Sequence, residues 1–168
     1  KPVHFEECRN KLGDHEYTVV SSHPDAGKIL LQNELIFDFQ TSDKPESSAT
    51  YMEKPVTVFL NTWRTSLAAL VKSFDNIQCT LFGFNGFPTM FNRDHLELSV
   101  LRTEDSATLK RVCDALKTRY LQVEHRTGMV TPRVLCMIIN EAYYTLQEGT
   151  ATREHIDLAM KLGTNYPY

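Results

Sequence analysis

Proton transfer near neutral pH calls for an imidazole or a carboxylate whose surroundings tune it. The sequence holds six histidines. Two have informative positions. His95 stands two residues before Glu97, so in a strand both side chains face the same side. His125 lies just before the pattern turns from strand to helix, close to where an α/β fold places its cleft. Each is also what an ordinary solvated or capped histidine looks like, and Glu97 also fits the outer face of a strand. Asn85 carries a carboxamide, which donates and accepts hydrogen bonds but takes no proton. The other histidines lack metal-ligand spacing, so no metal site is expected.

Phosphate chemistry would need G-x-G-x-x-G on a strand-to-helix turn. The seven glycines are scattered, and only Gly83 and Gly86 lie close together. That pair follows a strand but does not open a helix in the required register. The cysteines, Cys8, Cys79, Cys113 and Cys136, are far apart and form no C-x-x-C; they read as free thiols of a cytoplasmic protein. A formal net charge of −3 without a basic block argues against nucleic acid. No apolar run reaches membrane-spanning length, so no membrane association is expected.

The elements that must position these groups follow from periodicity. Val3–Leu12 reads as a helix with Phe5, Cys8 and Leu12 on one side. Strands are expected at Glu16–Val20, Leu35–Phe39, Val56–Leu60, Ile77–Phe84, Leu96–Leu101 and Tyr120–Val123. Val56–Leu60 is almost wholly apolar and β-branched, as an interior parallel strand is. Between strands, Thr65–Phe74 is amphipathic, and Thr103 can cap a helix whose Leu109, Val112, Cys113 and Leu116 fall at i, i+3, i+4 and i+7. Thr41–Thr50 is polar and can lead into a short helix. Ser21–Gly27 is a polar loop and Lys28–Asn33 a short connection. This alternation defines an α/β fold: a mainly parallel sheet with helices on both faces, binding its ligand past the carboxyl ends of the strands.

The pattern changes near Arg126–Gly128, which predicts one domain over residues 1–126 and the start of a helical one over 127–168. Thr131 and Pro132 suit the start of a helix. From Val134, apolar residues recur almost all round, including Met137, Tyr143, Tyr144 and Leu146, so this helix is expected to be buried on several sides. Gly149 ends it. Thr152 starts a second helix, with Glu154 in its first turn and Lys161 in its last, and Gly163 stops it. Two helices alone cannot enclose that surface. The preceding domain, further chain or a second copy must do so, and self-association is expected. Tyr143, Tyr144 and Met137 fit core or dimer contact, with acyl-chain lining as the other reading.

The stretch from Asn140 to Pro167, NEAYYTLQEGTATREHIDLAMKLGTNYP, resembles the start of the helical C-terminal domain of 3-hydroxyacyl-CoA dehydrogenases, the 3-hydroxybutyryl-CoA type in particular. The resemblance implies a Rossmann-like first domain whose opening strand and glycine loop would precede Lys1. It also implies NAD as cofactor, acyl-CoA as ligand and a homodimer built through the helical part. For the adenosine ribose it implies an acid after Glu16–Val20, where Ser21 and Ser22 stand and Asp25 is near. The family's histidine base, in G-L-H-F-F-N-P, and the glutamate twelve residues later that orients it fall on Asn85 and Glu97 of GFNGFPTMFNRDHLELS. The serine motif N-T-S-S-L falls on Asn61 to Leu67, with Trp63 and Arg64 standing where two residues are inserted and Thr65 and Ser66 keeping the hydroxyls. A loop there can block or reshape the cleft, or be a plain surface turn. The asparagine of G-F-I-V-N-R, near the substrate carbonyl, falls on Pro132, which donates nothing.

Two functional readings follow. In one, the chain belongs to an oxidoreductase of fatty-acid and butanoate metabolism that converts 3-hydroxyacyl-CoA to 3-oxoacyl-CoA with NAD, either as an ordinary member of its family or as a close variant using a rearranged base. In the other, it is a catalytically degenerate homologue kept as an acyl-CoA-binding or oligomer-forming module. Asn85 and Pro132 are the residues on which the readings divide.

Overall fold

The computed structural model describes residues 3–13, 15–20 and 35–164. Ser21, Ser22 and Asp25, with the expected loop and connection over 21–33, lie outside the described residues, as does Pro167. The chain separates into two compact units, Lys1–Val130 and Thr131–Tyr168.

The first unit is built on five strands: β1 (Leu35–Asp38), β2 (Thr57–Asn61), β3 (Thr80–Phe84), β4 (His95–Val100) and β5 (Arg119–Gln122). They lie side by side in sequence order. Pairing is parallel except between β3 and β4, which run antiparallel. The helices are α1 (Val3–Leu12), α2 (Ala49–Met52), α3 (Leu67–Val71) and α4 (Ser106–Ala115). Short 3-10 turns at Gln40–Ser42, Pro45–Ser48 and Thr103–Asp105 complete the connections.

The two-residue period of β2 and β3 sorts their side chains onto two faces. Phe59, Phe82 and Phe84 pack on one side with Cys8 and Leu12 of α1 and Leu109 and Cys113 of α4. Val58, Leu60 and Leu81 pack on the other with Tyr51 and Met52 of α2 and Leu67 and Leu70 of α3. Helices therefore cover both faces, as the sequence predicts. Each fully buried Phe contributes about 1.5–3 kcal/mol. The aromatic rings interlock: Phe37 stacks on Phe59 at 4.6 Å, and Phe39 meets Phe84 and Phe91 edge-on at 4.9 and 5.1 Å. Gly83 faces the second side, where an added Cβ would lie 2.4 Å from the Ser99 hydroxyl and 2.6 Å from that of Thr62. Only glycine lets β3 pass so close to both.

One expected strand does not form. Residues 15–20 carry no strand, because among the described residues no neighbour offers them a hydrogen-bonding ladder. Tyr17 turns back to α1 instead: its hydroxyl donates to the Gly13 carbonyl at 2.7 Å and its ring meets Phe5 edge-on.

The second unit comprises α5 (Thr131–Gln147) and α6 (Arg153–Gly163). Gly149 turns the chain between them at φ +70°, a conformation that suits glycine. The Thr152 hydroxyl caps α6 by accepting from the His155 N–H. The expectation that α5 is buried on several sides does not hold within this chain. Val134, Met137, Tyr143 and Tyr144 are each more than half exposed. A seventeen-residue helix apolar on most sides needs more partner surface than one eleven-residue neighbour can offer.

Candidate functional site

The carboxyl ends of β1, β2 and β3 meet around the side chain of Asn61, the last residue of β2, which is almost wholly buried. Its carboxamide grips the loop after β3. Oδ1 accepts from the Gly86 N–H at 2.9 Å, while Nδ2 donates to the Phe39 carbonyl and the Ser42 hydroxyl, each at 3.2 Å. A Cβ on Gly86 would lie 2.6 Å from the Asn61 carboxamide. The Gly83–Gly86 pair is thus a packing device. Its second glycine is pressed against protein rather than opened toward a phosphate.

Asn85 and Glu97 come together. The Asn85 carboxamide donates to Glu97 Oε2 at 3.5 Å and accepts from the Phe87 N–H at 3.1 Å. Both residues are buried. The antiparallel β3–β4 pairing causes this meeting, because it sets Phe84 opposite Leu98 and so Asn85 beside Glu97. The Asn85 N–H continues the ladder by donating to the Glu97 carbonyl at 3.1 Å. Glu97 Oε2 also accepts from the Val130 N–H at 2.9 Å, tying β4 to the last residue of the first unit.

Gly128 and Met129 make that tie possible. Both adopt left-handed backbone, at φ 79° and 44°, and the turn carries the chain back across the sheet. The Gly128 N–H then donates to the Trp63 carbonyl at 2.8 Å, and the Thr62 hydroxyl reaches the Met129 sulfur at 3.9 Å. The sequence singled out neither Thr62 nor Met129, although the glycine before a methionine signals such a turn.

The hydroxyls near the serine motif are placed differently from one another. Ser66 caps α3, its side chain accepting from the Ala69 N–H at 3.2 Å. Thr65 is partly exposed, its N–H donating to the Thr62 carbonyl. The inserted residues form a stack. Trp63 meets Phe87 edge-on at 5.0 Å, and Arg64 lies over the Trp63 ring at 4.6 Å while pairing with Asp43 at 2.7 Å.

Neither candidate imidazole takes the place of a base beside Asn85. His95 sits on the Glu97 side of β4 but pairs outward with Asp94 at 2.9 Å. His125 lines a cavity of about 340 Å³ with Val100, Leu101, Thr103, Gln122, Val123 and Glu124. Pro132 lies in the first turn of α5, in the second unit. Among the thiols, burial pushes Cys8 and Cys79 up to about 11 and Cys113 up to about 12, and all four cysteines are free. Among the described residues no helix is long and apolar enough to cross a membrane.

A mainly parallel sheet with helices on both faces is the fold of the Rossmann-like dehydrogenases that this chain resembles. Residues 128–168 match the family model described as 3-hydroxyacyl-CoA dehydrogenase, C-terminal domain. The 3-hydroxyadipyl-CoA dehydrogenase of Escherichia coli (strain K12) is 46% identical over 66 residues, which are 38% of this chain and 14% of that protein. A probable 3-hydroxybutyryl-CoA dehydrogenase of Bacillus subtilis (strain 168) is 49% identical over 47 residues, 28% of this chain and 16% of that protein. The (S)-3-hydroxybutyryl-CoA dehydrogenase from Ralstonia eutropha superposes with a TM-score of 0.62 at 25% identity, over 88% of this chain and 54% of that one. The chain therefore spans about half of that solved relative, and its matches cover about a seventh of the curated ones. Residues 128–168 thus match the C-terminal domain of the 3-hydroxyacyl-CoA dehydrogenases, and the chain as a whole is similar to members of that family.

Proposed function

We propose that this chain belongs to a protein that binds 3-hydroxyacyl-CoA thioesters past the carboxyl ends of β1–β3 and that, with its present residues, holds them without oxidising them. The observation that carries this reading is the engagement of Asn85. Its carboxamide is spent on Glu97 and on the Phe87 N–H, and it can abstract no proton from a substrate hydroxyl. In this reading Asn61 and Glu97 position the loop that carries Asn85. Thr65 and the donor side of the Ser66 hydroxyl meet the ligand. Pro132 has no N–H to offer a ligand, where the family resemblance implies an asparagine.

A second reading has its own support. Glu97 stands beside position 85 as the family's glutamate would stand beside its histidine, and the relatives named above are dehydrogenases. In this reading the whole protein oxidises 3-hydroxyacyl-CoA with NAD, through a base supplied outside the described residues. In both readings the exposed apolar side chains of α5 and α6 support a homodimer, and free thiols suit a cytoplasmic location.

The test pairs binding with turnover. Acetoacetyl-CoA should raise the melting temperature of the protein, while 3-hydroxybutyryl-CoA with NAD should give no NADH. A general base contributes about 10²–10⁴-fold, so Asn85→His should bring turnover into view wherever a complete NAD site is present. Wild-type turnover in the ordinary enzymatic range, unchanged by Asn85→His, would establish the second reading against the first.

A further inference from the structure

We propose that Arg64 is an anion anchor past the carboxyl ends of β1 and β2, taking a negatively charged group of the ligand, either a carboxylate or a phosphate. The proposal deepens the acyl-CoA reading above and rests on it. Arg64 follows Trp63 in the loop that leaves β2, and it immediately precedes Thr65 and Ser66. Its guanidinium is fixed in two ways. One is its position over the Trp63 ring at 4.6 Å; the other is the Asp43 carboxylate at 2.7 Å. Trp63 is itself immobilised, edge-on to Phe87 at 5.0 Å and through its carbonyl, which accepts from the Gly128 N–H at 2.8 Å. Phe87 is two residues from Asn85, whose side chain holds its N–H. The stack thus links the guanidinium, through Trp63 and Phe87, to the loop that carries Asn85.

The chemistry of the pair favours exchange. The contact joins one guanidinium nitrogen to one carboxylate oxygen, whereas arginine offers five N–H donors in a planar fork. Both side chains are more than half exposed, and such ion pairs are weak. An incoming carboxylate or phosphate can take two parallel N–H bonds, a stronger arrangement than the single one it displaces. Asp43 then acts as a placeholder that keeps the guanidinium aimed until the ligand's anion takes its place.

The experiment uses calorimetric titration of the full chain with adipyl-CoA, hexanoyl-CoA and free CoA. The first two share a chain length and differ in whether the acyl chain ends in a carboxylate or a methyl. Arg64→Gln should weaken binding about tenfold, the worth of a charge-assisted contact. Asp43→Asn should strengthen it, although it breaks the same ion pair, so a folding defect cannot imitate the pattern. Loss confined to adipyl-CoA identifies the acyl terminus as the anion; equal loss for all three identifies a coenzyme phosphate. Unchanged binding of all three by Arg64→Gln overturns the anchor alone. Failure of the wild-type chain to bind any of them overturns the acyl-CoA reading and the anchor with it.

Discussion

The grip of Asn61 on Gly86 predicts a coupled pair of substitutions. Asn61→Ala removes the acceptor of the buried Gly86 N–H and the donor to the Phe39 carbonyl. Each buried group left unpartnered costs about 1–3 kcal/mol, so the expected loss for the two is about 2–6 kcal/mol. Gly86→Ala acts from the other side. Its Cβ would stand 2.6 Å from the Asn61 carboxamide, and overpacking of that kind costs about 1–3 kcal/mol. The two costs share one cause, because the atoms that Gly86→Ala strikes are those that Asn61→Ala deletes. The double variant should therefore be no less stable than Asn61→Ala alone, giving a coupling of about 1–3 kcal/mol. Urea unfolding followed by intrinsic fluorescence supplies the four free energies by linear extrapolation. Additivity within about 0.5 kcal/mol would refute the proposition that Asn61 and Gly86 are mutually fitted. The loop carrying Asn85 would then have to be held by something else.

Alkali should destabilise the fold through its thiols. Burial raises Cys8 and Cys79 from an ordinary 9.0 to about 11, and Cys113 to about 12. Between those values the unfolded chain has released protons that the folded chain retains, so stability falls as pH rises. The contribution is whole below pH 9.0 and lost as pH climbs through about 11. Urea midpoints measured across that window should fall, and a Cys113→Ala variant should show a shallower decline; a flat profile would contradict the burial. Self-association is checked by sedimentation velocity. The wild-type chain should be dimeric at micromolar concentration, and Met137→Glu with Tyr143→Glu, both on exposed positions, should give a folded monomer. A monomeric wild type would remove the dimer from the proposal.

Much of the sheet was legible because burial on both faces leaves a plain trace. The apolar β-branched run around Val58 and Leu60 marks an interior strand, and the i, i+3, i+4 spacing of Leu109, Val112 and Cys113 marks α4. The failure at Glu16–Val20 has the opposite cause. Strand propensity speaks of a half-buried surface but not of the neighbour that must supply the ladder. The site was legible only through resemblance. No periodicity announces that Asn85 and Glu97 meet; the antiparallel turn between β3 and β4 brings them together, and strand direction is a property of the whole sheet. Gly83 and Gly86 were visible as a close pair, yet spacing cannot distinguish a glycine facing a ligand from one facing Asn61 or Ser99.

The geometry of Glu97 suggests how its neighbour came to be replaceable. Hydrogen bonds weaken steeply as they lengthen. The contact from Asn85 Nδ2 is long, at 3.5 Å, while the Val130 N–H reaches the same carboxylate oxygen at 2.9 Å. The stronger of these two ties therefore joins β4 to the backbone that leads into the helical unit. A carboxylate held in this way has a structural reason to persist whatever side chain stands at position 85. Where the family uses a histidine, the scaffold can accept an asparagine without releasing Glu97, because the carboxamide needs only one donor for the acid and one acceptor for the Phe87 N–H. In the non-oxidising reading proposed above, an asparagine at position 85 and a buried carboxylate at Glu97 are therefore compatible, and Glu97 alone is weak support for the oxidising one.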